Sequence, residues 1–215
     1  LYLARDIFGR AGVVFEAVDT LPLDAEPYAA AVDIVLECAA ANFTRRALMA
    51  LLKSPHFRMT IDGAEVTREA VALLDAAMAE QRYLGGADRL RALAETWTGG
   101  ERPAAQAAVT IATALEPLLE SRPLVEQVDL LRAFLDAHDR DHPGPRRRRV
   151  RAAVVGALAG LAESYRRHDP AATGSVTELS AALRRWLGTQ TFAENTGTGG
   201  VRILDAQAAR FADLD

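Results

Sequence analysis

Pro145-Arg146-Arg147-Arg148-Arg149-Val150-Arg151-Ala152-Ala153-Val154-Val155-Gly156-Ala157-Leu158-Ala159-Gly160-Leu161-Ala162-Glu163-Ser164-Tyr165-Arg166-Arg167 decides the fold class of this chain. Val150, Val154, Leu158 and Leu161 recur at steps of three and four, so they line one face of a long helix. The same rhythm governs most of the sequence around it. Glu26-Pro27 opens a helix through Ala41, with Pro27 suited to the first turn. Thr44 caps a second through Lys53, closed by Ser54-Pro55, and Thr67 caps a third to about Gln81. Helices from Asp88 to Trp97, Pro103 to Glu120 and Pro123 to His138 follow, and Pro117 kinks or splits the second of these. Ser175 or Thr177 starts the last, through Leu187.

Between the helices the β signals are sparse. A first helix gives way to a strand from Val13 to Ala17, and Asp62-Gly63 sits between short β-prone flanks as a small hairpin. Thr191 to Gly200, rich in Thr, Asn and Gly, reads as a loop, and a short apolar strand follows it. The expected architecture is mostly α, a multi-helix body between short β segments. Strands should be confined to the two ends and the Asp62-Gly63 segment.

Composition narrows the function classes. Of 215 residues, half are hydrophobic, and a mean hydropathy of +0.01 is that of an ordinary globular protein. No run of 18 or more apolar residues exists, so no membrane partner is expected. The start carries neither an initiating Met nor a basic region leading into an apolar stretch, which reads as an excised piece without a signal peptide. Cys38, the only cysteine, lies on an apolar helix face and reads as a buried, inert thiol of the reducing cytoplasm. Lys53 is the only lysine and sits in a helix without the glycines of a phosphate loop, so no nucleotide-binding P-loop lies in this chain.

Several residue groups invite a chemical reading. Arg146, Arg147, Arg148 and Arg149, with Arg151, stand at a helix start, where cations oppose the helix dipole. That small cost adds modest weight to a phosphate-gripping patch, set against a merely solvated helix end flanked by Asp139 and Asp141. At a net charge of −4, contact with nucleic acid has to be local. His138 and His142 have a zinc-chelating spacing, but they straddle a helix end among arginines, and an ordinary polar terminus is the better reading. Tyr83, Trp97, Tyr165 and Trp186 offer stacking surfaces for bases, yet they sit in Leu-rich helices and read as packing residues. Asp24 and Glu26, like Asp136, Asp139 and Asp141, lack the strand context of a nuclease carboxylate site. No catalytic, cofactor or metal residue is assigned within the chain.

The two ends carry a family resemblance. Gly200-Val201-Arg202-Ile203-Leu204-Asp205-Ala206-Gln207-Ala208-Ala209-Arg210-Phe211-Ala212-Asp213-Leu214-Asp215 resembles motif V of UvrD/RecB-type superfamily 1 helicases, V-x-L-L-T-I-H-x-A-K-G-L-E-F-D. Leu204, Ala209, Asp213 and Asp215 match. Asp205 replaces the Thr, Gln207 the His, Arg210 the Lys and Phe211 the Gly, so the strand-to-turn frame persists while its polar contacts have drifted. At the other end, Leu1 to Phe15, Leu21-Pro22-Leu23 and the stretch from Asn42 to Pro55 resemble the segments after motif IV that open the inserted subdomain of AddB-type proteins. The likeness covers residues 1–57 and 200–215.

What the resemblance implies is a piece of an AddB/RecC-like helicase-nuclease subunit with a degenerate motor. Residues 1–19 correspond to the edge of a RecA-like second motor domain, 20–195 to a helical inserted subdomain, and 196–215 to the return into that domain. The implied role is DNA binding and bracing during double-strand-break end processing. ATP and Mg would act in the parent or in an active helicase-nuclease partner, and the DNA would be duplex or displaced single strand. The alternatives are an active superfamily 1 helicase with a divergent motif V, and an α-helical protein-interaction module that does not touch DNA.

Overall fold

A computed structural model describes residues 2–17, 20–141, 144–193 and 199–203. The fold is mostly helical, 64 % helix against 10 % strand. Helix α1 (Tyr2–Arg10) leads to strand β1 (Phe15–Ala17), and β2 (Thr20–Pro22) delivers the chain to α2 (Pro27–Ala40). Helix α2 is apolar on nearly every side, with Ala31, Val32, Val35, Leu36, Cys38 and Ala39 all buried. A helix of that kind belongs in the interior, and α2 is the centre of the body. Around it stand α3 (Arg45–Leu52), α8 (Pro145–His168) and α9 (Val176–Gly188).

The other half of the body is built on α6 (Arg102–Leu115), which packs against α4 (Arg68–Glu80), α5 (Ala87–Ala94) and α7 (Leu124–His138). Its buried alanines at 104, 105, 107, 108 and 112 allow close approach of those neighbours. Pro117 ends α6 at Leu115, and a single 3-10 turn, Glu116–Leu119, follows. The ring of Pro117 forbids the regular hydrogen bond there, as the sequence suggests. Strands β3 (Thr60–Ile61) and β4 (Ala64–Glu65) form the expected hairpin, with Asp62 and Gly63 both at positive φ.

Two expectations are corrected. Strands are not confined to the ends and that hairpin, because β5 (Arg122–Pro123) pairs with β6 (Thr173–Gly174) inside the helical body. The cause is Gln127, fully buried, whose side-chain amide donates to the carbonyls of Arg122 and Gly174. Nor is the segment after α9 all loop, since β7 (Thr191–Ala193) pairs antiparallel with β2. Phe192 is buried there, and this apolar anchor outweighs the loop-like composition around it. The last described strand, β8 (Val201–Ile203), pairs in parallel with β1, Phe15 opposite Val201. Gly200 makes this approach feasible: it has φ +88°, and a Cβ there would collide with the Val14 carbonyl.

Candidate nucleic-acid interface

The first turns of α8 face a cleft of about 570 Å³. Its other walls are Ala25 to Tyr28 at the start of α2, Pro55 and His56 after α3, and residues 139–141 after α7. An isolated antiparallel bridge between Phe57 and Asp139 holds the last two walls together. The Arg58 amide donates to the His138 carbonyl at 2.7 Å, and the Arg140 amide donates to the His56 carbonyl at 2.9 Å. Beneath the bridge, Phe57 packs edge-on against Phe134, with ring centres 6.2 Å apart. The cleft is therefore set by backbone bonds over an aromatic anchor.

The four-arginine run divides at this cleft. Arg146 donates from Nη2 to Oε1 of Glu26 at 2.7 Å, and Glu26 is only 4 % exposed. Arg147 and Arg148 are exposed and line the cleft, while Arg149 is exposed and outside its lining. One turn further on, Arg151 is ion-paired with Asp139 and approaches Asp136 at 3.6 Å. Arg140 also lines the cleft, and its guanidinium reaches the Glu65 carboxylate. The cleft thus gathers five arginines against the carboxylates of Glu26, Asp139 and Asp141. Ala25, Pro27, Pro55 and Val150 supply apolar wall.

In the sequence Glu26 and Asp139 each stand in a group of carboxylates, with Asp24 and with Asp136 and Asp141. The structure brings these two to the same cleft, each beside an arginine. Neither Tyr28 nor His56 belongs to a motif that singles it out in the sequence. Their rings meet edge-on at 5.7 Å and 76°. The Tyr28 hydroxyl is buried, with no hydrogen-bond partner among the described residues, and burial pushes its pKa up to about 12 against an opposing pull from Arg151. Glu26-Pro27-Tyr28 at a helix start is the one local hint, but its partner Arg146 lies 120 residues away.

The remaining candidates fall elsewhere. Asp205, Gln207, Ala209, Arg210 and Asp213, the motif V positions, lie outside the described residues, as does His142. His138 is half-buried with its ring 4.7 Å from that of Phe134, and burial lowers its pKa. Lys53 and Arg45 both bind Asp75, at 3.0 and 2.6 Å. Burial of Asp75 opposes ionisation, but the two cations win and hold its carboxyl below the usual range. Tyr83 and Trp97 are buried, and Trp186 donates its indole N–H to the Ala157 carbonyl at 2.9 Å. Trp186 and Tyr165 pack partly buried against the core. Cys38 is fully buried, which pushes its thiol up to about 12. No family model matches the chain, and no curated protein matches it.

Proposed function

We propose that this chain is the DNA-binding and bracing portion of an AddB/RecC-like helicase-nuclease subunit acting on double-strand ends, its helical body inserted into a motor domain. The observation that carries the reading is the parallel pair β1 and β8. Parallel strands need a crossover between them, and here the crossover is the whole helical body. Parallel sheets are covered on both faces and rarely stop at two strands. Val14 and Val201 are instead exposed beside this pair, which supports its belonging to a larger sheet. The arginine-rich start of α8 is the part of the body suited to the phosphates of duplex or displaced strand. Motor chemistry, with ATP and Mg, resides in the parent or in a partner subunit.

Salt dependence tests the DNA contact. The double substitution Arg147→Ala/Arg149→Ala should weaken duplex binding and shallow the log–log salt slope by roughly 1.8, about 0.9 for each lost phosphate contact. Arg146 is left out of this test because its guanidinium already serves Glu26. Unchanged affinity and slope in a folded variant would move the function to a protein-interaction module.

A further inference from the structure

We propose that the chain binds a second copy of itself head to tail, the loop 81–86 with Leu84 at its tip seating in a hollow between the β3–β4 hairpin and the first turns of α4 and α6. This contact uses neither the neck nor the start of α8, so it stands apart from the DNA reading. Leu84 is 84 % exposed. A single exposed leucine is ordinary on a protein surface, but a backbone built to hold one out is not. Tyr83 beside it is buried, and its hydroxyl donates to the Phe43 carbonyl at 2.8 Å. The Gly86 amide donates to the Asn42 carbonyl at 2.8 Å, and the Tyr83 amide to the Met78 carbonyl at 2.9 Å. Arg82 takes φ +49°, a left-handed conformation that is costly for a residue with a Cβ. A leucine fixed in this way loses little freedom when a partner covers it. Its surroundings are cationic. Arg82 lies two positions before it, Arg46 two past Thr44, against which Gly85 sits, and Arg89 in the first turn of α5. All three are exposed and without an ion pair among the described residues, and the neighbouring Asp88 is paired with Arg91.

The same molecule carries a hollow of the opposite sign. It measures about 770 Å³, room for a loop tip and not only for one side chain, and Ile61, Val66 and Pro103 give it apolar walls. Glu65 is occupied by Arg140, but Asp62 and Glu69 outnumber Arg102, the one guanidinium in the lining. Bonds to its own backbone amide and to the Thr67 hydroxyl hold the Glu69 carboxyl below its usual range, so it stays charged. An apolar tip among arginines therefore meets an apolar hollow among carboxylates, which is the complementarity that steers and orients association. Hollow and knob lie at opposite ends of α4, whose 13 residues span about 20 Å. No molecule can fill its own hollow with its own knob across that distance. The contact is heterologous, and its repetition gives an open chain of copies and not a closed pair.

Sedimentation velocity of the 215-residue chain at low salt tests this. Between about 10 μM and 1 mM the weight-average sedimentation coefficient should climb without a plateau, and added NaCl should suppress the climb. Leu84→Asp removes the knob and keeps the hollow; Ala64→Arg, at an exposed position of the lining, fills the hollow and keeps the knob. Each should weaken self-association at least about tenfold while leaving the melting temperature unchanged, because both positions are exposed. Mixed together, the two variants should form a one-to-one complex that grows no further, since each supplies the half that the other lacks. Arg82→Glu should weaken association and flatten its salt dependence. A wild-type chain that stays monomeric to 1 mM, a plateau at a closed dimer, undiminished association in folded Leu84→Asp, or failure of the two variants to pair each overturns the contact. Duplex binding and its salt slope are unaffected by any of these results, so the DNA reading stands or falls by its own test.

Discussion

Arg146 and Arg149 stand three positions apart on α8 and have opposite surroundings. Arg146 answers a buried carboxylate, while Arg149 is exposed, with no ion pair to it among the described residues. Arg146→Ala should therefore cost stability, on the order of 1–2 kcal/mol, a value reduced from that of a fully buried pair because the guanidinium is 43 % exposed. Arg149→Ala should stay within about 0.5 kcal/mol. Urea midpoints of the two variants check the contrast, and adding Glu26→Gln to Arg146→Ala should recover part of the loss. Equal midpoints would show that the pair contributes nothing. The charge run is plain in the sequence because it is contiguous. Its division is not, since Glu26 and Arg146 are brought together only by the packing of α2 against α8.

Helix caps show the same limit at the next scale. Thr67 and Ser175 both occupy N-cap positions and both accept from the backbone three residues on, Ala70 and Glu178. Ser175 completes a reciprocal capping box, because the Glu178 carboxylate accepts from the Ser175 amide at 2.7 Å. Those backbone and side-chain hydrogen bonds from Ser175 hold the Glu178 carboxyl below its usual pKa. Thr44 has the same sequence signature, yet its side chain makes no capping bond. Ser175→Ala should lower stability by about 1 kcal/mol and Thr44→Ala by clearly less, as thermal melts would show. A propensity names the position; the rotamer and the preceding turn decide whether the bond forms. That turn, Asn42-Phe43, has positive φ at both residues, and Tyr83 fixes it by donating from its hydroxyl to the Phe43 carbonyl at 2.8 Å. No local pattern announces a lock between residues 40 apart in sequence.

For the molecule as a whole, helix positions were legible because each amphipathic stripe records its own burial, whereas strand pairings of two or three residues leave almost no period to read. The pH dependence of stability follows from burial as well. His138 has a folded-state pKa lowered from 6.5 by desolvation, with a partial offset from its backbone bond to Arg58. On acidification the unfolded chain takes up this proton first. Its contribution to stability is therefore complete above about 6.5 and declines as pH falls through that value towards the lower folded-state pKa. A melting temperature that drops below pH 6.5, with the step reduced in His138→Phe, is the expected record. The neck of the body has a different kind of consequence. Strands β1 and β8 join residues as far apart as Glu16 and Arg202, 186 positions, with β2 and β7 zipped just inside them. While the helices are folded, the connection behaves like a hairpin, and its two ends meet at little entropic expense. Once the helices melt, the same pair has to close a random loop of that length, a penalty of about 4–5 kcal/mol from chain entropy alone. A three-residue ladder does not survive such a penalty, so the parallel pair should release its amide protons in the same cooperative event as the helical body.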